Sequence, residues 1–272
     1  MKILVTNDDG VASPGLWALA ESLRAVGDVV VVAPDREQSG VGSSVTLHHP
    51  VRVASATPLH DGIEAYAIEG TPGDSVILAT ETLVKGPIDL LVSGINAGSN
   101  LGNDVFVSGT VGAAFHGYFR GIPSIALSVT ALNDLHFDVA ARLAFLLASQ
   151  VKEGALPKKL LMNVNVPNKP LDQLKGVQAT RLANGSYSEV VNEGKDPRRK
   201  YYWINRSRPT WTLEAGTDIW AVQNDYISIT PLDNDVTAHS ILPRMEELKL
   251  AMEDGLREGS LPEGPSPGSQ SG

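Results

Sequence analysis

The chain has 272 residues and a formal net charge of −9, long enough for one large α/β domain and of the wrong sign for an electrostatic footprint on DNA or RNA. It contains no cysteine, which excludes disulfides, thiolate metal sites and a thiol nucleophile. Its 42% hydrophobic and 19% charged residues fit a buried core rather than a disordered chain.

The first half alternates strand and helix signals. Lys2 to Thr6 is a short Ile/Leu/Val-rich run that predicts a buried strand. Ser13-Pro14 has the pattern of an N-cap followed by proline at the first helical position, with Leu16, Leu19, Ala20 and Leu23 at helical spacing and Gly27 as the stop. Val29 to Ala33 predicts a second strand ended by Pro34. A helix is expected over 74–84, with Asp74 near its start, followed by a strand from Ile88 to Val92. Further expected elements are a helix over 110–120, a strand over Ile122 to Val129, a helix over Phe137 to Gln150 and a strand over Leu160 to Val166. This alternation predicts an α/β fold, a mostly parallel sheet with helices on both faces.

Beyond about residue 170 the pattern is irregular. The segment 199–204 predicts a strand in a projecting hairpin, Thr217 a cap for a short helix before the strand Tyr226 to Thr230, and 244–256 a last amphipathic helix. From Glu258 to Gly272, 11 of 15 residues are Gly, Pro or Ser, the composition of a disordered tail. The expected organisation is a core over 1–170, a C-terminal extension over 171–257, and the tail 258–272. The N-terminal apolar run is too short for a signal-peptide core, and Val139 to Ala148 carries Arg142 and falls below membrane-spanning length. A cytoplasmic protein without membrane contact is expected.

Ligands of open α/β sheets bind at the carboxyl ends of the strands. Three polar loops stand there: Asn7-Asp8-Asp9-Gly10, Asp35 to Ser44, and Ser93 to Gly112. None matches a dinucleotide fingerprint or a Walker phosphate loop. Asp8 and Asp9 are adjacent carboxylates that repel unless a cation or protons compensate. Alone they fit either a solvated turn or an oxygen-rich cation site. The Gly-rich stretch Ser93 to Gly112, feeding a helix, fits close approach of an anion to backbone N–H groups, or an ordinary surface loop. His48 and His49 would face opposite ways in an extended segment, and His116 is expected to be structural. Arg198-Arg199-Lys200 before Tyr201-Tyr202-Trp203 has the composition of a small nucleic-acid patch, but on so acidic a chain it is expected to be a solvated hairpin or subunit contact.

The chain resembles the SurE (survival protein E) family of nucleotidases. The resemblance rests on Val5-Thr6-Asn7-Asp8-Asp9-Gly10, Ala33-Pro34-Asp35-Arg36-Glu37-Gln38-Ser39-Gly40 and Gly70-Thr71-Pro72. It continues through Ser93-Gly94-Ile95-Asn96, Asn100-Leu101-Gly102, Ser108-Gly109-Thr110-Val111 and Tyr226-Ile227-Ser228-Ile229-Thr230-Pro231-Leu232, in family order. It implies a Rossmann-like core, one divalent metal per subunit, Mg²⁺ or Mn²⁺, with ligands at Asp8, Asp9, Ser39 and Asn96, and a homodimer or homotetramer with a swapped or projecting C-terminal part, 171–257, used in oligomerisation. It also implies hydrolysis of nucleoside 5′- and 3′-monophosphates, with short polyphosphate as a further substrate. Departures from the family pattern are His116 in place of Glu, Val107 in place of Tyr, and Asn224-Asp225 in place of a Gly-containing turn.

Two carboxylates neutralise a divalent cation and leave it able to accept phosphate, while Ser39 and Asn96 add oxygens without charge. The expected chemistry is in-line attack of water, with Asp8 or Asp9 as general base. The phosphate is expected to be held by Ser108, Gly109 and Thr110, with Asn7, Gly40 and Asn100 nearby. A phosphoaspartyl intermediate is the runner-up chemistry. A polyphosphatase or broad phosphatase, a non-catalytic nucleotide sensor and an interaction scaffold are the rival functions.

Overall fold

A computed structural model describes residues 1–185, 188–195, 199–207 and 214–257. The expected disordered tail, 258–272, and Arg198 of the basic triplet lie outside the described residues. The chain forms two compact units, Met1–Leu232 and Asp233 onward.

In the first unit the elements run β1 (Lys2–Thr6), α1 (Pro14–Leu23), β2 (Asp28–Pro34), β3 (Val53–Ser55), β4 (Glu64–Ile68), α2 (Pro72–Leu78), β5 (Leu90–Ala97) and α3 (Gly109–Phe119). They continue with β6 (Ser124–Val129), α4 (Asp138–Lys152), β7 (Leu161–Val166), β8 (Gly176–Ala179), β9 (Ser188–Lys195), β10 (Lys200–Ser207), α5 (Asp218–Gln223) and β11 (Tyr226–Pro231). The second unit carries α6 (Leu242–Arg257).

Nine strands form one sheet in the order β3-β4-β2-β1-β5-β6-β7-β11-β8. The centre is parallel: β4, β2, β1, β5, β6 and β7 are joined edge to edge in one direction, and only β3 on β4 and β11 on β7 run antiparallel. Parallel strands are buried on both faces, which is why their sequences are nearly continuous apolar runs. Alternate residues of each strand serve opposite faces. Ile3, Val5 and Val92 pack with Leu16, Leu19 and Ala144 of α1 and α4, whereas Leu4, Val32 and Leu91 pack with Val76, Val111 and Ala114 of α2 and α3.

The α/β fold expected from the sequence is the fold observed. The differences are local. Ser13 occupies the cap position of α1, but its hydroxyl makes no cap bond. The helix expected over 74–84 starts at Pro72 and passes at Ala79 into a π-turn that ends at Leu83. Three short strands, β3, β4 and β8, carry too little apolar periodicity to be read from the sequence; β3 and β8 are exposed along their whole length. The core does not stop at residue 170: β11 hydrogen-bonds to β7 and β8 to β11, so the returning chain completes the sheet. Residues 199–204 do lie in a two-stranded antiparallel hairpin, β9–β10.

The chain leaves β1 for β2 on one side, and after β4 it crosses to β5 on the other side of β1. The crevice at the carboxyl ends of β1 and β5 is therefore the topological switch point, where open α/β sheets bind ligands.

Candidate metal and phosphate site

Asp8 and Asp9 follow β1 directly. Asn7 braces their turn by donating its amide to the Gly10 carbonyl at 3.0 Å. The Asp8 carbonyl accepts the Gln38 N–H at 2.7 Å, which ties the loop after β2, with Ser39 and Gly40, to the same turn.

Asn96 arrives by a bulge in β5. Ser93 pairs with Ala126 of β6 and Asn96 with Ser128, so β5 spends three steps where β6 spends two. In a regular strand Asn96 would face away from Ser93. The extra residue restores it to the same side, the side of α3, and leaves Ile95 to enter the opposite core. The Asn96 amide donates to the Gly98 carbonyl at 2.7 Å, which frees its side-chain oxygen from that bond.

The N-terminus of α3 closes the site from the third direction. The Thr110 hydroxyl donates to Asp8 Oδ1 in a short hydrogen bond. Gly109 is required here, because a Cβ on it would stand 2.8 Å from the Asp8 Cβ and 2.9 Å from Oδ2. The Ser108 hydroxyl caps the helix by accepting the Val111 N–H at 3.2 Å.

Burial raises the Asp8 carboxyl above its usual range, against the opposing pull of the Thr110 hydrogen bonds. Asp9 is pushed up to about 6, by burial first and the neighbouring Asp8 charge second, while the Ala97 N–H, 3.2 Å from Oδ2, works the other way. Glu37 adds a smaller repulsion to both. This third carboxylate is exposed and accepts the Ser39 hydroxyl at 2.7 Å. Two desolvated carboxylates held together against their charge are what a hard divalent cation would relieve. Among the described residues no three His, Cys, Asp or Glu side chains group as a metal site. A cation at Asp8 and Asp9 would need neutral oxygens to complete its shell, and Ser39 and Asn96 fit that need.

A cavity of about 600 Å³ opens beside these groups. Asp8, Ser39, Gly40, Asn96, Asn100 and Ser108 line it, as the sequence expected of a common site. Asn7, Asp9, Gly109 and Thr110 do not line it: Gly109 and Thr110 stand against Asp8, Asn7 braces the turn through the Gly10 carbonyl, and Asp9 turns one carboxylate oxygen to the Ala97 N–H. The wall also includes Val107 and, after β6, Thr130, Ala131, Leu132 and Asn133, which sequence reasoning missed. Their position at a strand's carboxyl end was the one available signal. The turn around Thr71 stays outside the wall and serves α2, and His48 and His49 are exposed away from it. His116 is buried, its Nε2 3.0 Å from the Ser43 carbonyl, a structural role as expected.

The Survival protein SurE family model matches residues 3–189. The chain is similar to the 5′-nucleotidase SurE of Dehalococcoides mccartyi strain CBDB1, 50% identical over 234 residues, which cover 85% of this chain and 88% of that one. It is similar to the 5′-nucleotidase SurE of Aeromonas hydrophila, 46% identical over 244 residues covering 89% and 96%. Among solved structures it is similar to the SurE protein from Aquifex aeolicus, with a TM-score of 0.78, 38% identity and coverage of 92% of this chain and all of that one.

Proposed function

The chain belongs to the SurE family, and on that premise we propose that it is a divalent-metal-dependent phosphomonoesterase acting on nucleoside 5′- and 3′-monophosphates. That it is a 5′-nucleotidase accords with relatives of that name at 46% and 50% identity. The observation that carries the finer reading is the adjacent Asp8 and Asp9 at the switch point, both raised by desolvation, with Asp8 in the wall of a cavity large enough for a nucleotide.

Asp8, Asp9, Ser39 and Asn96 would hold one Mg²⁺ or Mn²⁺. When bound, the ion would polarise a phosphoryl oxygen and lower the pKa of a water. Thr110 fixes Asp8 by its hydroxyl, so Asp8 acts as an anchored ligand. Asp9 is less buried and gives one oxygen to the Ala97 N–H, which leaves it the better placed to take a proton from the attacking water. Ser108, Gly40 and Asn100 bind the phosphate side, and Leu132 and Asn133 border the nucleoside side of the same cavity. The reaction releases nucleoside and inorganic phosphate with no covalent intermediate.

We further propose a cytoplasmic homodimer or homotetramer. No helix among the described residues is long and apolar enough to cross a membrane. Val191, Tyr202, Trp203 and Ile204 are exposed on the hairpin, a concentration of apolar surface that monomers rarely carry.

The test is phosphate release from AMP, GMP and their 3′ isomers with Mg²⁺ or Mn²⁺ and then EDTA, beside Asp9→Asn. Metal-dependent release that the variant loses by about 10²-fold or more is expected. Release that survives EDTA would sink the metal reading. Trapping phosphate on Asp8 or Asp9 would sink the direct-water route.

A further inference from the structure

β7 is buried on both faces, yet two of its six residues are asparagines with no exposed surface, Asn163 and Asn165. They are two apart, so they share a face, the one on which Leu161 packs against α3. An apolar side chain there would avoid desolvating an amide, which is costly wherever one of its groups goes unpaired. The Asn163 side-chain oxygen has no partner among the described residues.

The remaining amide groups converge on one residue. Asn163 Nδ2 donates to the Asn100 carbonyl at 2.8 Å, and Asn165 Nδ2 donates to the same oxygen at 3.0 Å. Asn165 Oδ1 accepts the Asn100 N–H at 2.9 Å. Asn100 Nδ2 donates to the Ser128 hydroxyl at 2.9 Å, and Ser128 is the register partner of Asn165 on β6. Asn100 lies in the irregular stretch after the bulged strand, with no ladder of its own, and it lines the cavity together with Asp8, Ser39 and Asn96. β6 and β7 thus lend side chains to a backbone segment that is not part of the sheet.

We propose that Asn163 and Asn165 are positioning residues for the phosphoester reaction, acting through Asn100, whose backbone they hold in the cavity wall. The inference rests on the phosphatase reading above. A pair that served only the interior would need no common target in the cavity wall, and the polar contacts of this pair all go to Asn100.

The experiment compares Asn163→Leu, Asn165→Leu, Asn100→Ala and the double variant Asn165→Leu/Asn100→Ala, reading kcat and KM for AMP alongside Tm. Both leucine variants should keep a cooperative melt and lose roughly 10- to 100-fold in kcat/KM, the scale of a displacement of about 1 Å in a catalytic site. The double variant should be no slower than Asn100→Ala alone, because the clamp has nothing left to position. Losses that multiply in the double variant, or a folded Asn165→Leu with wild-type kcat/KM, would overturn the proposal. Should Asn165→Leu not fold, Ser128→Ala, which removes only the bond to the Asn100 amide, runs the same cycle with the same two outcomes. A wild-type protein that releases no phosphate would refute the phosphatase reading alone. Calorimetric AMP affinity of the same variants in EDTA would then decide the clamp, with about tenfold weakening supporting it and unchanged affinity overturning it.

Discussion

Asp8 and Asp9 set the behaviour of the site with pH. Both carboxyls are raised, Asp9 from 3.8 to about 6. The folded metal-free protein therefore holds a proton that the unfolded chain gives up at lower pH. Stability falls as pH rises through the window from about 4 to 6, and for Asp9 alone the loss is on the order of 3 kcal/mol. A divalent cation bound there would replace the missing proton and reverse that loss. Melting in EDTA should give a lower Tm at pH 7.5 than at pH 5, with Mg²⁺ or Mn²⁺ raising the value at 7.5, and Asp9→Asn should flatten the dependence. If Asp9→Asn melted with the pH dependence of wild type, the two carboxyls would not be the groups responsible.

At the scale of elements, two joints hold the site. The first is the close approach of α3 to the end of β1. Helix propensity favours alanine over glycine by about 1 kcal/mol in a helix interior, but at Gly109 a methyl would meet Asp8 at 2.8 Å. Gly109→Ala should leave Tm within a few degrees and weaken metal affinity at least tenfold by displacing the carboxylate, measured by calorimetric titration with Mn²⁺. An unchanged affinity would show that the helix end does not constrain Asp8. The second joint is the capping box of α2. The Thr71 hydroxyl accepts the Asp74 N–H at 3.1 Å and donates to the Ser44 carbonyl at 2.8 Å, and the Asp74 carboxylate accepts the N–H groups of Thr71 and Thr46, both at 2.9 Å. One cap therefore anchors both a helix and the far end of the loop that carries Ser39. Thr71→Ala should cost about 1 kcal/mol, a fall in Tm of roughly 2–4 °C. It should also raise proteolytic cleavage within 38–50, and a loop cut no faster than in wild type would argue that it is held elsewhere.

At the scale of the whole molecule, two late elements each carry a run of exposed apolar side chains. On the hairpin Trp203 is 64% and Ile204 73% exposed. On α6, Leu242, Met245, Leu248, Met252 and Leu256 recur at helical spacing and are all exposed. Light scattering should report a dimer or tetramer. Trp203→Ser with Ile204→Ser should shift the mass toward a smaller species, since interface aromatics carry a large share of binding energy. A wild-type monomer at micromolar concentration would refute the assembly reading.

The sequence by itself determined the alternation of strands and helices, because buried parallel strands must be apolar throughout and helices must present a periodic stripe. It also determined that Asp8-Asp9, Ser39, Asn96 and the Ser108–Thr110 helix start stand at one end of the sheet, since these polar runs each follow an apolar strand, although β5 runs on past Val92 to Ala97 and so includes Asn96 where a loop was expected. It did not show β3, β4 and β8, whose pairing depends on neighbours rather than on a pattern of their own, nor the return of β11 antiparallel to β7. Only the tertiary structure decided that a one-residue bulge turns Asn96 to the side of Asp8, that Thr110 is tied to Asp8, and that Asn163 and Asn165 reach across to Asn100. The physical reason is the same in each case. Hydrophobic periodicity is a property of the chain, whereas the partner of a buried hydrogen-bonding group is a property of what the fold brings within 3 Å of it.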